Sequence, residues 1–237
     1  MPAAGSPPEH VVVAPLLGRT GARLTVRDAA SSVRLSLAVL PGLLYRITTP
    51  ADSGLAPVAA VRAGDAEVRF RPTGGHGPDA VRIVLNRAVR WDLRLPAGAG
   101  ETDLDLTDGR ITRLDAGSSG LIDMSLPAPR GTVPVTVADA GTAIVAAPAA
   151  PLRITLPAGA GSADTPWATG TAVPAGPVPT GPVLAGPVLA GPVAAGSLLA
   201  GPVPAGSVLA EPGWQAATNR YAITFTGGVG RLTVNRP

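Results

Sequence analysis

Trp91-Asp-Leu-Arg-Leu95-Pro-Ala-Gly-Ala-Gly100-Glu-Thr-Asp-Leu-Asp-Leu106 decides the fold. Two runs of strict alternation flank a Pro/Gly turn, with Trp91, Leu93, Leu95, Leu104 and Leu106 on one face and Asp92, Arg94, Asp103 and Asp105 on the other. A period of two belongs to a half-buried β-strand. The same pattern returns in Ile122-Asp-Met-Ser-Leu126, and the turn Leu95-Pro-Ala-Gly-Ala-Gly100 recurs word for word as Leu156-Pro-Ala-Gly-Ala-Gly161, again directly after an alternating run. One exit turn used twice points to a repetitive β structure.

Working outward, short alternating segments follow one another at roughly 8 to 12 residues, separated by Gly, Pro and Asp. They include Ala22–Arg27, Ser32–Leu37, Leu44–Thr49, Glu67–Arg71, Val81–Leu85, Arg110–Asp115, Thr132–Val137, Thr142–Ala146, Tyr221–Thr226 and Gly230–Val234. No segment carries a helical period. The best candidate, Pro57–Ala63, holds β-branched Val58 and Val61 and is closed by Gly64. The expected architecture is all-β: a single β-solenoid (β-helix-like) domain of short stacked strands. If consecutive strands stack side by side, Arg94 falls beside Asp105 and Arg113 beside Asp123, as exposed ion pairs worth at most about 1 kcal/mol each.

One stretch breaks the pattern. Seven pentapeptides run from Gly176 to Ala210 (GPVPT GPVLA GPVLA GPVAA GSLLA GPVPA GSVLA), and Pro follows Gly in five of them. Each Pro removes a backbone donor and each Gly loosens the chain, which disfavours a ladder or a helix. The tract reads as a low-complexity Gly/Pro/Val/Ala loop insertion, elastin-like or rich in polyproline II. A square pentapeptide-repeat helix needs turn residues that are absent here, and a self-associating apolar segment is the third reading. The expected divisions are a disordered tail at 1–12, the main solenoid at 13–161, the insertion at 162–210 and closing strands at 211–237.

With aromatics at 3 % of residues, the core has to be built from Leu, Val, Ile and Ala. All 19 basic residues are arginine, yet 16 acidic residues offset them to a net charge of +3. The arginines alternate with aspartates instead of clustering, so no nucleic-acid partner is expected. There is no cysteine, which removes disulfides and thiol chemistry. The N-terminal residues lack the basic and apolar regions of a signal peptide, and no apolar run approaches the ~20 residues of a transmembrane segment. The expected location is cytoplasmic, or at the membrane through a partner.

Candidate chemistry is sparse. His10 lies near the N-terminus and His76 in the Gly-rich loop Gly74–Asp79. The run Asp103-Leu-Asp-Leu-Thr-Asp-Gly109 glances at a calcium loop, but the glycine is displaced by one and Leu114 stands at the twelfth position. Gly117-Ser-Ser-Gly120 lacks nucleophile-elbow spacing, and neither Gly159–Ser162 nor Gly227–Gly230 opens a helix or carries a lysine. Trp91, Trp167 and Trp214 read as packing residues. No catalytic, cofactor-binding or metal residue is assigned, no cofactor is expected, and an enzyme is not expected.

Four phrases carry a resemblance: Leu44-Tyr-Arg-Ile-Thr-Thr-Pro50, Asn86–Pro96, Pro127–Pro134 and Glu211-Pro-Gly-Trp-Gln-Ala-Ala-Thr-Asn-Arg-Tyr221, followed by Gly227–Val234. They resemble a group of actinobacterial proteins of unknown function, similar to the broader adhesin-like and LiaF-like C-terminal families. The resemblance implies a β-solenoid and a link to adhesion or envelope sensing, and brings no catalytic motif. Envelope-linked members usually carry membrane segments ahead of the β domain. The functional expectation is a non-enzymatic binding or scaffold protein, adhesin-like, with a protein partner or self-association through a solenoid edge. The alternative is a regulatory or sensory module of cell-envelope stress acting through a membrane partner.

Overall fold

The computed structural model describes residues 9–62, 64–147, 150–167 and 202–236. Most of the tail at 1–12, and the pentapeptide tract up to Gly201, therefore lie outside the described residues. Within them the chain is all-β, with eighteen strands and no helix. These are β1 (His10–Pro15), β2 (Gly21–Val26), β3 (Ala30–Ala38), β4 (Leu43–Thr49), β5 (Leu55–Arg62), β6 (Asp65–Pro72), β7 (Ala80–Asn86), β8 (Arg90–Leu95) and β9 (Ala99–Asp105). They continue with β10 (Arg110–Ala116), β11 (Ser119–Ser125), β12 (Thr132–Val137), β13 (Ala140–Ala146), β14 (Leu152–Leu156), β15 (Ala160–Asp164), β16 (Ser207–Ala210), β17 (Arg220–Phe225) and β18 (Val229–Asn235). The best helical candidate lies in β5, where Val58 and Val61 suit an extended backbone.

The strands form two nine-stranded mixed sheets, ordered β1-β4-β7-β3-β9-β11-β13-β18-β15 and β16-β14-β17-β12-β10-β8-β2-β6-β5. From β7 to β15 the chain changes sheet at every strand, so each strand pairs in parallel with one at least two places away in sequence. This corrects the expected ion pairs. β8 and β9 belong to different sheets, so Arg94 sits beside Asp115 on β10 and Asp105 beside Ser125 on β11.

Pairing in register, antiparallel at β4–β7 and β14–β16 and parallel between, lines up the inward positions. In the first sheet Ile47, Ile83, Leu35, Leu104, Met124, Val145 and Val234 form one continuous row. The second sheet's inward row is Ala66, Leu24, Leu93, Leu114, Val135, Ile223, Ile154 and Leu209. All of these are buried, and they account for a core that needs few aromatics. Aliphatic side chains of this size contribute roughly 1.5–3 kcal/mol each when fully buried.

Corners repeat as well. In both copies of the Leu-Pro-Ala-Gly-Ala-Gly turn the first glycine N–H donates to the leucine carbonyl, Gly98 to Leu95 at 3.3 Å and Gly159 to Leu156 at 3.0 Å, with φ of 71° and 79°. Each strand that follows in the first sheet has glycine at its second position. Gly100, Gly120, Gly141, Gly230 and Gly161 stack across β9, β11, β13, β18 and β15. A Cβ at Gly120 would lie 2.8 Å from the Gly100 carbonyl oxygen, and one at Gly141 2.6 Å from that of Gly120. The backbones approach so closely that only glycine fits.

The last two strands do not close the stack from outside. β17 lies between β12 and β14, and β18 between β13 and β15, so the chain's end is threaded one layer in. Strands also enter both ends of the expected insertion at 162–210: β15 takes Ser162–Asp164, and β16 takes Ser207–Ala210, pairing antiparallel with β14. Ser207 stands where five of the seven pentapeptides carry proline, so this unit keeps a backbone donor that proline would remove.

Candidate functional site

The residues weighed in the sequence are scattered, and most are occupied structurally. His76 is exposed in a loop tied down by Gly77 N–H to Asp52 O at 2.6 Å and Thr73 N–H to Gly54 O at 2.9 Å. His10 lies on β1, at the opposite register face from Val11. Asp105 accepts from the Thr107 hydroxyl at 2.7 Å, closing a turn, and Asp108 is exposed at its tip. Ser119 shares a hydrogen bond with Thr102 at 2.9 Å, and Ser118 donates to Asp139. No group of His, Asp and Glu among the described residues is arranged to hold a metal ion.

All three tryptophans pack. Trp91 is fully buried and donates from Nε1 to the Asn86 carbonyl at 3.0 Å. Trp214 donates to the Tyr221 carbonyl at 2.8 Å, and its ring is covered on separate contacts by Arg153 and Arg220, 4.4 and 4.2 Å from the centroid. Arg236 lies 5.5 Å from the centroid of Trp167.

What the sequence reading missed is an arrangement on the outer face of the first sheet. In-register pairing sets Thr48, Arg82, Arg34, Asp103 and Asp123 side by side across β4, β7, β3, β9 and β11. Arg34 donates from Nε to Asp103 at 2.8 Å, and Arg46 pairs with Glu9 at 3.7 Å. Burial, with the neighbouring Asp103 charge adding to it, pushes the Asp123 carboxyl above its ordinary value. A hollow of about 290 Å³ opens over this row, with Glu9, Ser32, Arg34, Thr48, Arg82 and Glu101 in its wall. A second hollow of about 310 Å³, lined by Arg46 and Val84, shares Glu9, Thr48 and Arg82 with the first, so Arg82 stands at the junction of one continuous groove. Among the described residues neither Arg82 nor Glu101 has an ion-pair partner.

The outer face of the second sheet is compensated differently. Arg23 bridges Asp92 at 2.8 Å and Asp65 at 3.3 Å, Arg94 holds Asp92 at 3.1 Å, and Arg113 holds Asp115 at 2.6 Å. Burial alone would push the Asp92 carboxyl up, but hydrogen bonds and charge from Arg94 and Arg23 outweigh it and hold the group below its ordinary value. This lattice sets register on an exposed face and adds little stability.

No family model matches the chain, and no curated protein matches it. Among solved structures it is similar to a candidate cell adhesion protein from Clostridium sporogenes, with 16 % sequence identity and a TM-score of 0.62 over 98 % of this chain and 100 % of that one. At that identity the likeness shows a shared fold.

Proposed function

We propose that this chain is a non-enzymatic β-solenoid that acts as a binding or scaffold protein of the adhesin-like kind. The solenoid reading is supported by strands that alternate between two sheets and pair in parallel about one turn apart, with the Ala99-Gly100, Ser119-Gly120, Ala140-Gly141 and Ala160-Gly161 corners recurring 20 or 21 residues apart. The binding reading is carried by one observation, the outer groove of the first sheet, where charged groups stand exposed over an otherwise satisfied sheet. The description of the Clostridium sporogenes protein points the same way.

A partner can be met at a sheet edge or on a face, and the face is better supported. Edge strands β1 and β5 carry Pro15 and Pro57, and β16 is only four residues long, all features that blunt strand addition. The test is saturable retention of labelled protein on cell-envelope preparations. Charge reversal on the groove face (Arg34→Glu with Arg82→Glu) is expected to abolish retention, and reversal on the other face (Arg23→Glu with Arg94→Glu) to leave it. Absence of saturable retention, or equal loss from both faces, refutes the proposal.

A further inference from the structure

We infer that the groove over β4, β7, β3 and β9 binds an acidic carbohydrate, a saccharide bearing a carboxylate, with Arg82 as its anchor. The inference rests on the binding reading above and names its ligand class.

Charge in the groove is balanced. Arg34, Arg46 and Arg82 face Glu9, Glu101 and Asp103, and two of the three cations are already committed, Arg34 to Asp103 and Arg46 to Glu9. One exposed guanidinium and one exposed carboxylate remain. Arg82 offers a planar fork matched to a carboxylate, and Glu101 can only accept hydrogen bonds. They sit two strands apart and two residues apart along the strand direction, Arg82 on β7 and Glu101 on β9, or about 12 Å from the strand spacing and rise. The Ser32 hydroxyl on β3 lies between them, and the Thr48 hydroxyl on β4 lies on the other side of Arg82. A single anionic group flanked by hydroxyl donors, spread over one or two rings, satisfies this set.

The same features disfavour other ligands. A nucleic acid or densely sulfated chain brings several anions to a groove whose own carboxylates cancel its arginines, so repulsion from Glu9, Glu101 and Asp103 opposes it. An extended peptide gains most of its affinity from backbone pairing at a sheet edge. This groove lies over interior strands whose ladders are complete. Its length, two hollows joined at Arg82, suits an oligosaccharide laid across the strands.

The experiment is titration calorimetry of the full chain with a tetrasaccharide carrying a single carboxylate (one glucuronate on three xyloses), neutral xylotetraose and a tetrapeptide with a single glutamate, on wild type, Arg82→Ala and Arg82→Lys. Charge-assisted bonds of the kind lost with Arg82 correspond to about tenfold or more in affinity. The expected result is saturable binding of the single-carboxylate tetrasaccharide that weakens by about tenfold or more in Arg82→Ala and less in Arg82→Lys. The neutral sugar and the peptide should bind at least about tenfold more weakly. Binding unchanged by Arg82→Ala, or equal for the acidic and neutral sugars, or equal for the peptide, overturns the inference. If no sugar binds but envelope retention still depends on the groove face, the inference fails and the binding proposal stands. If retention is absent as well, both fail. Circular dichroism of each variant should match wild type, because Arg82 is exposed and outside the core.

Discussion

The glycine column makes the sharpest demand on the backbone, and Gly141→Ala tests it. In the folded chain an added Cβ would sit 2.6 Å from the Gly120 carbonyl oxygen, about 0.8 Å inside ordinary contact. The obstacle is backbone held in a parallel ladder on both sides, β11 and β18, so relief requires two strands to part. Overpacking of this kind costs about 1–3 kcal/mol. Gly228 supplies the ruler, since nothing lies within 4 Å of its Cβ position and its φ is not in the left-handed region. Gly228→Ala should therefore stabilise by about 0.4–1 kcal/mol through the unfolded chain alone. Urea unfolding followed by tryptophan fluorescence reads both, with unchanged m-values. The double variant Gly120→Ala with Gly141→Ala should cost less than the sum, because one displacement of β11 relieves part of both contacts. If Gly141→Ala proves as stable as wild type while Gly228→Ala behaves as stated, the strands are not packed at the described spacing and the column has no structural role.

Other perturbations address other parts of the fold. Tyr221 is buried and its hydroxyl donates to the Pro127 carbonyl at 2.7 Å, so Tyr221→Phe should cost about 1–3 kcal/mol by stranding that acceptor; equal stability by thermal melt would show that the carbonyl finds another donor. Burial raises the phenol pKa of Tyr221 and of Tyr45, the chain's two tyrosines. The fold thus favours the protonated rings, a contribution complete below the ordinary value of about 10 and lost as pH rises through the folded values. Ultraviolet titration should show phenolate appearing only with unfolding. Asp92 and Asp123 should respond to pH with opposite signs. The lowered Asp92 value stabilises the fold above the ordinary carboxylate range and is lost in acid, so Asp92→Asn should destabilise at neutral pH; the raised Asp123 value means that Asp123→Asn should stabilise there. Melting curves of both variants at neutral and acid pH would sink this if the signs matched. Ser207→Pro restores the proline of the neighbouring units and should strip hydrogen-exchange protection from Val208–Ala210 while sparing β17.

Alternation told which residues face inward, because side-chain direction in a strand depends only on local backbone, and Trp91, Leu93, Leu104 and Ile122 are all buried as their spacing implies. It could not tell which strand lies alongside, since that depends on where the corners send the chain. Alternation alone therefore sets Arg94 against Asp105 one strand on, whereas its neighbour is Asp115. The information was present in another form. Small-residue-plus-glycine pairs at Ala99-Gly100, Ser119-Gly120, Ala140-Gly141 and Ala160-Gly161 repeat every 20 or 21 residues, twice the strand spacing, which is the signature of a chain that visits the same sheet on every second strand. Only Leu95–Gly100 and Leu156–Gly161 share a longer word, because the other corners preserve just a small residue followed by the glycine that close approach demands. The insertion of Gly230 between Gly141 and Gly161 has no such local signal, for it depends on where a distant segment returns. The groove follows from the same limit. That Arg82 is left over while Arg34 and Arg46 are paired depends on register across β1, β4, β7, β3 and β9, which periodicity along any one strand does not contain. Candidate chemistry in this chain therefore arises between strands, from leftover charge, and a search for motifs along the sequence passes over it.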